Sequence, residues 1–363
     1  MISVEQASSW MARALQLAAL GSATTHPNPR VGCVIVQGDR IVGSGWHQRA
    51  GEAHAEVHAL RVAGDRARSA TMFVSLEPCS HHGRTPPCAD AVIAAGISEI
   101  WIAMLDPNPL VAGRGVERLR AAGIQVHVGL MEAQACELNR SYIARMVRRR
   151  PLVTLKLAAS LDGRTAMASG ESQWITGAAA RADVHRLRAE AGAVLTGIGT
   201  VLADDPALTA REPVAATRQP DRIVLDTNAR APQNAEVWAD GARRYWLTCA
   251  TPVAVPAGVT AAQVAAGADG RLDLAAALAA LAKHEVNEVL VECGPTLAGA
   301  LLQAGLVDEL LAYVAPSLLG HDARPLAALP GLERLSQKLE FEWRDVRRVG
   351  NDLRLLLRPR IAA

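Results

Sequence analysis

Two trains of alternating strand and helix patterns, split by one basic run, constrain this chain more than any other feature. Residues 31–46 read VGCVIVQGDRIVGSGW, two β-rich runs around Gly38-Asp39, which predicts a hairpin. A helical stretch follows from about Ala53 to Ala63, then a short apolar strand at Thr71–Leu76. Next come a helix at Ala89–Ala95 stopped by Gly96, a strand at Glu99–Met104, a helix at Val116–Ala122 and a strand at Ile124–Val128. Ahead of these, Ser3 and Gln6 offer a capping box to a helix that carries Met11, Leu15 and Ala18 on one face.

The run Arg145–Pro151 (RMVRRRP) interrupts the pattern, and the domain boundary is placed there, giving domains 1–146 and 151–363. The same run also reads as a solvated helix end, which is compatible. Beyond it the alternation resumes. Strands are expected at Leu152–Leu157, Ala193–Gly197, Arg222–Leu225, Arg244–Leu247, Glu288–Glu292, Val307–Val314 and Leu353–Leu357. Helices are expected at Ala178–Ala189, Leu274–His284 and Thr296–Ala304. Thr251–Gly270, rich in Ala, Gly and Val, reads as a soft insert or loop. Both halves are therefore α/β, with helices layered on sheets, and 363 residues suit about two such domains.

Composition removes several function classes. Lys+Arg 38 against Asp+Glu 36 leaves a net charge of +2, which disfavours a broad phosphate-binding face for nucleic acid. Aromatics at 3% argue against a base-stacking platform. No apolar run reaches the 18 or more residues of a membrane helix. Glu5 and Arg13 interrupt the first apolar stretch, so a secretory signal is not expected. The six cysteines then read as thiols or metal ligands in a cytoplasmic protein.

The first half carries a metal constellation: His54-Ala55-Glu56, Pro78-Cys79, and Cys88 after eight intervening residues. One imidazole and two thiolates make three zinc ligands and leave a fourth position open for water, which is the catalytic arrangement. Zinc lowers the pKa of such a water to about 7. Glu56, two residues from His54 at a helix start, can face that water and shuttle its proton to a leaving amine. This is the pattern of zinc deaminases. Two bland readings stand beside it: a pair of buried core thiols, and a closed structural site with His81 or His82 as fourth ligand. The second leaves Glu56 without a role. In the long loop between the cysteines, His81 and Arg84 are candidates to contact substrate.

Taken together, His47-x3-Ala50-Gly51-x2-His54-Ala55-Glu56 and Glu77-Pro78-Cys79-Ser80-His81-x-Gly83-Arg84-Thr85-Pro86-Pro87-Cys88 resemble the deaminase half of the bifunctional riboflavin-biosynthesis deaminase/reductase family. So do Thr25-His26-Pro27-Asn28-Pro29 and Asp106-Pro107-Asn108-Pro109. The resemblance implies a cytidine-deaminase-like zinc domain followed by a dihydrofolate-reductase-like domain. It implies that Asn28, His47, Arg84 and Asp106 line a pyrimidine nucleotide pocket.

In the second half, Glu292 closes a strand and Gly294–Thr296 open a helix whose free N–H groups suit a phosphate. Gly197 and Gly199 follow a strand, where backbone can approach a ligand closely. No Gly-x-Gly-x-x-Gly occurs here. The resemblance extends over this half too, to a reductase that uses NADPH. It implies that Ala158, Trp174, Thr200, Asp204, Thr227 and the run Gly294, Pro295, Thr296, Leu297, Ala298, Gly299, Ala300 hold the dinucleotide. It assigns substrate to Ser172, Arg188, Leu208, Arg211 and Glu292, with Lys156 as a further contact. Arg188 and Arg211 carry guanidinium forks that match a ribose phosphate.

The expected enzyme is a zinc-dependent hydrolase and an NADP-dependent oxidoreductase acting in turn on one pyrimidine ribonucleotide. The steps are deamination of 2,5-diamino-6-(ribosylamino)pyrimidinone 5′-phosphate and reduction of the ribosyl group to ribityl. Asp204 and Glu292 are both candidates for the proton donor in the second step. A homo-oligomer is expected by resemblance, with no nucleic-acid or membrane partner. The rival readings are a deaminase of tRNA or nucleosides with a C-terminal binding module, and a non-catalytic zinc-stabilised binding protein. The first sits badly with the balanced charge and the long Cys…Cys loop. The second requires a fourth protein ligand.

Overall fold

The computed structural model describes residues 3–80, 87–109, 111–211, 218–239 and 241–360. The chain divides into two compact units, Met1–Arg149 and Arg150–Ala363. In chain order the first holds α1 (Val4–Ala19), β1 (Gly32–Gln37), β2 (Arg40–Trp46), α2 (Ala55–Ala63), β3 (Thr71–Val74), α3 (Cys88–Ala94), β4 (Glu99–Ile102), α4 (Arg114–Ala121), β5 (Gln125–Val128), α5 (Glu132–Leu138) and α6 (Arg140–Arg148).

The cap of α1 forms as its sequence predicts. Ser3 Oγ accepts from the Gln6 N–H, and Gln6 Oε1 accepts from the Ser3 N–H, each at 3.2 Å. The helix buries Ala7, Met11, Ala14, Leu17 and Ala18, whereas Leu15 is only half-buried. The sheet runs β2-β1-β3-β4-β5. β1 pairs antiparallel with both β2 and β3, and β3, β4 and β5 are parallel. One face packs Ala59, Ala89, Val92, Val116 and Leu119 from α2, α3 and α4. The other packs Met11, Ala14 and Leu17 from α1 with Ala135 from α5. The result is three layers, and the loops between them carry the chemistry.

The second unit holds β6 (Leu152–Ser160), β7 (Arg164–Ala166), α7 (Ala178–Ala191), β8 (Ala193–Gly197), α8 (Ile198–Asp204), β9 (Asp221–Leu225), β10 (Arg244–Thr248), β11 (Val259–Gln263), α9 (Leu274–Lys283), β12 (Glu288–Glu292), α10 (Pro295–Gln303), β13 (Glu309–Ala315), β14 (Arg324–Pro325), β15 (Phe341–Val349) and β16 (Asp352–Pro359). Nine strands run in the order β11-β10-β9-β8-β12-β6-β13-β16-β15. The first seven are mutually parallel, and the β15–β16 hairpin adds antiparallel to β13. The β12 strand returns between β8 and β6, so chain order reverses there. In open parallel sheets such a switch point opens a ligand crevice at the carboxyl ends of the strands.

Three sequence expectations need correction. Thr251–Gly270 is not all loop: Val259–Gln263 forms β11, paired in register with Arg244–Thr248. The last expected helix and the strand at Val307 start elsewhere, with α10 beginning at Pro295 and β13 at Glu309. Proline at the first helical turn accounts for the former, because its missing N–H needs no partner there.

Candidate active sites

In the first unit the sheet's loops bring three donors together. His54 is the N-cap of α2, Cys88 is the first residue of α3, and Cys79 lies in the segment after β3. Their ligand atoms all fall within 4.8 Å of one another. His54 Nδ1 is 3.2 Å from Cys88 Sγ and 3.6 Å from Cys79 Sγ. A tetrahedral zinc, with its usual bonds to imidazole and thiolate, sets the two donors about 3.6 Å apart. The residues therefore fit that metal. The Cys88 N–H also donates to Cys79 Sγ at 3.3 Å. Hydrogen bonds from Cys88 and His54 outweigh burial and bring the Cys79 thiol down to about 4. The hydrogen bond with Cys79, and then burial, push the Cys88 thiol up.

Glu56 sits in the first turn of α2 and is buried, and its Oε2 has no hydrogen-bond partner among the described residues. Burial raises its carboxyl to about 7, with His54 opposing. An orphaned carboxylate oxygen beside a donor triad is costly unless a ligand or water completes it. His47 packs edge-on to His54 with ring centroids 5.3 Å apart. Its Nδ1 donates to the Ala53 carbonyl at 3.2 Å, so Nε2 accepts from the Asn28 amide at 3.0 Å. Burial holds His47 below the usual histidine range and hence neutral. Asn28 and His47 are thereby brought to the metal donors. Arg84 and His81 lie outside the described residues.

Asp106 is buried, and its Oδ1 accepts from the Asn108 N–H at 2.8 Å and the Tyr142 hydroxyl at 3.1 Å. What ties it to the metal segment is Glu77, to which the sequence reading gave no role. Glu77 Oε2 accepts from the N–H groups of Asp106 (3.1 Å) and Gly113 (2.9 Å), and Oε1 from those of Gly115 (2.9 Å) and Val116 (3.2 Å). Gly115 must be glycine, since a Cβ there would lie 2.1 Å from the Pro78 carbonyl oxygen.

In the second unit the strand ends border a cleft of about 1900 Å³. Ordinary small-molecule pockets reach about 1,000 Å³, so this one has room for two ligands. Its walls include Ala158, Trp174, Thr200, Asp204, Thr227, Gly294, Pro295, Thr296, Leu297 and Ala300, and also Ser172, Arg188, Leu208, Arg211, Glu292 and Lys156. Ala298 and Gly299 are not on them. Ala298 is in the core beside Leu301, and a Cβ on Gly299 would meet the Ala328 carbonyl at 1.8 Å. Both positions pack into the core rather than toward the cleft.

Glu292 anchors the floor. Arg188 Nε and Nη2 donate to its two oxygens at 2.6 and 3.0 Å, and Arg188 Nη1 donates to the Thr209 carbonyl at 2.9 Å. Lys156 Nζ lies 3.9 Å from Glu292 Oε2. Burial alone would raise the Glu292 carboxyl, but Arg188 and Lys156 win and hold it below its ordinary range. Burial pushes Lys156 down, with Arg188 adding and Glu292 opposing. At the rim the exposed Trp174 is covered on one face by Arg181, whose Cζ is 4.4 Å from the ring centroid. Arg181 was not foreseen from sequence.

Residues 151–355 match the family described as the RibD C-terminal domain, and residues 4–104 match the cytidine and deoxycytidylate deaminase zinc-binding region. The riboflavin biosynthesis protein RibD of Escherichia coli strain K12 is 53% identical over 369 residues, covering 96% of this chain and 98% of the relative. A solved RibD of Acinetobacter baumannii superposes with TM-score 0.91 at 44% identity, covering 99% of this chain and 100% of that one. A diaminohydroxyphosphoribosylaminopyrimidine deaminase/5-amino-6-(5-phosphoribosylamino)uracil reductase of Thermotoga maritima gives 0.87 at 33%, covering 98% and 99%. The fold is thus α/β, a cytidine-deaminase domain followed by a reductase domain with the dihydrofolate-reductase-like fold.

Proposed function

Since the chain belongs to the RibD family, we propose how its own residues divide the work of that family's two reactions. It is a bifunctional enzyme of riboflavin biosynthesis, a zinc-dependent deaminase joined to an NADPH-dependent reductase. Residues 1–146 act as the deaminase and residues 151–363 as the reductase.

The observation that carries the residue assignment is the orphaned Glu56 carboxylate oxygen beside the His54, Cys79 and Cys88 donors. Those three would hold zinc, which when bound would supply a water of lowered pKa for hydrolysis at the amino-bearing carbon of the diaminopyrimidine nucleotide. Glu56 takes up a proton and delivers it to the departing ammonia. Asn28, its amide fixed by neutral His47, presents a donor and an acceptor to the heterocycle edge. Glu77 and Asp106 hold the wall of the pocket, and Arg84 contacts substrate.

In the cleft of the second unit NADPH, when bound, supplies the hydride. Gly294–Leu297 and Ala300, with Ala158, Thr200, Asp204 and Thr227, hold the dinucleotide, and Trp174 packs against its nicotinamide end. Ser172, Leu208, Arg188 and Arg211 hold the ribosylamino substrate, the Arg211 guanidinium facing its phosphate. Lys156 and Glu292 meet the sugar. Catalysis here is mainly positioning.

A homo-oligomer in the cytoplasm completes the reading. None of the six cysteines is in a disulfide, which suits a reducing compartment. The β15–β16 hairpin exposes Trp343, Val346 and Leu353 at the sheet edge, apolar surface a second copy could cover. Among the described residues no helix is long and apolar enough to cross a membrane.

The test is zinc content per chain together with ammonia release from the diaminopyrimidine nucleotide, with and without NADPH. About one zinc, with ammonia release and subsequent NADPH oxidation, is expected. Glu56→Gln should abolish ammonia release while keeping zinc and reduction of the deaminated substrate. If Glu56→Gln leaves ammonia release unchanged, the assignment of the proton carrier is wrong.

A further inference from the structure

The cleft of the second unit carries two cations that the assignments above leave unused. Arg230 and Arg271 both line it. Both belong to segments fastened at Thr227. The Leu272 N–H donates to Thr227 Oγ1 at 3.2 Å, and Arg230 follows three residues after Thr227. The loop that carries Arg271 is itself fixed. Ala266 bridges to Leu272, the Gly267 N–H donates to the Arg271 carbonyl at 2.7 Å, and the Arg271 N–H donates to Asp269 Oδ1 at 3.0 Å.

Among the described residues neither guanidinium has a partner within hydrogen-bond distance. Arg271 Nε stands 4.0 Å from Asp269 Oδ2, and Arg230 Nε stands 4.0 Å from Asp226 Oδ1. Those separations are beyond hydrogen-bond reach, in contrast to the 2.6 Å contact between Arg188 and Glu292. The acids nearby are only partly committed elsewhere, since the Asp226 Oδ1 that faces Arg230 has no hydrogen-bond partner among the described residues. Asp273 caps α9 by accepting from the Ala275 and Ala276 N–H groups at 2.9 and 3.1 Å. Asp226 Oδ2 accepts from the Ala231 N–H at 2.9 Å and Trp246 Nε1 at 3.2 Å. Two forks with free donors, on anchored backbone and facing a cavity, suit a phosphate.

Sheet order says which phosphate. The strands run β9-β8-β12-β6, so Thr227, just after β9, is three strands from Lys156 and Ala158 on β6. At about 4.8 Å per strand that is about 14 Å, the scale of an extended dinucleotide. With the nicotinamide at the Lys156–Glu292 end and the pyrophosphate at Gly294–Thr296, the adenosine ribose falls at Thr227. We propose that Arg230 and Arg271 bind the 2′-phosphate of that ribose and so select NADPH over NADH. This rests on the NADPH reading of the cleft.

The experiment uses the full zinc-loaded chain and direct binding. Adenosine 2′,5′-bisphosphate and 5′-AMP are compared by calorimetry, and NADPH and NADH by fluorescence titration. The wild type should bind the bisphosphate and NADPH more tightly than their partners without the 2′-phosphate. Arg271→Ala and Arg230→Ala should each weaken NADPH and the bisphosphate about 10- to 150-fold, the loss of one or two charge-assisted hydrogen bonds. Binding of NADH and 5′-AMP should stay within about twofold, Arg271→Lys should recover part of the loss, and ammonia release should not change. Equal weakening of NADPH and NADH, or no weakening of either, overturns the proposal while leaving the NADPH reading intact. A wild type that binds neither dinucleotide overturns both.

Discussion

Replacing Glu77 by glutamine changes one oxygen to an NH2 group and leaves volume almost untouched. In the wild type each carboxylate oxygen accepts two backbone N–H groups, from Asp106 and Gly113 on one side and Gly115 and Val116 on the other. An amide can accept only on its oxygen, so two of these four bonds are lost and an N–H donor is set against two others. Each buried donor left unsatisfied costs about 1–3 kcal/mol, which gives about 2–6 kcal/mol in all. The structure allows little relief, because Gly115 already lies against the Pro78 carbonyl. In a unit of this size 1 kcal/mol moves the melting point by about 2–4 °C. Calorimetry should therefore show the first unit of Glu77→Gln melting about 4–24 °C below wild type. Because Glu77 precedes Pro78-Cys79, zinc affinity and ammonia release should fall with it, while NADPH binding in the second unit is unchanged. A variant that melts within 1 °C of wild type and keeps full zinc would refute the claim that these four bonds hold the metal segment in place.

Three further outcomes are expected. Gly299→Ala places a methyl 1.8 Å from the Ala328 carbonyl oxygen, so it should lower the melting temperature of the second unit and leave zinc content alone. Chelation should remove ammonia release and expose Cys79 and Cys88 to thiol reagents, with recovery on adding zinc, whereas NADPH oxidation with the deaminated substrate should persist. The Glu292 carboxyl is held low in the fold, so the unfolded chain binds more protons in that range and stability rises with pH. Its contribution is present above the ordinary carboxylate value of about 4.5 and is lost as pH falls through the lowered folded value. Urea unfolding across acid pH should show a slope that Glu292→Gln flattens.

The metal set was legible because its ligands are few, chemically distinct and carried in two short motifs, and the hairpin around Gly38 was legible because turn chemistry is local. Glu77 was not, since its partners are backbone N–H groups some thirty to forty residues away and any residue type can offer them. The pair of Arg188 with Glu292 spans 104 residues, and no spacing rule reaches that far. Strand β11 escaped because Val259–Gln263 reads VTAAQ, with no two-residue alternation, and forms by pairing in parallel with β10. Ala298 and Gly299 belong to a run in which neighbouring positions differ sharply in direction. A motif fixes the run, but helical periodicity decides which members reach the cavity.

The charges on the floor of the second cleft bear on what it can accept. Arg188 and Lys156 are two cations beside the single anion Glu292, all three mostly withdrawn from solvent. A buried excess of one positive charge is expensive while it stands alone, and Lys156 records that cost in its lowered pKa. Arg188 is already bound in bidentate fashion to Glu292 and through Nη1 to Thr209, so the uncompensated charge falls mainly on Lys156. A ligand that brings an electron-rich oxygen to Lys156 relieves the imbalance, whereas an apolar or cationic one adds to it. Glu292, held ionised, can still accept from ligand hydroxyl groups. The floor thus favours a polyhydroxylated, oxygen-rich chain over a flat apolar ring, which is the chemical character of a ribosyl group undergoing reduction.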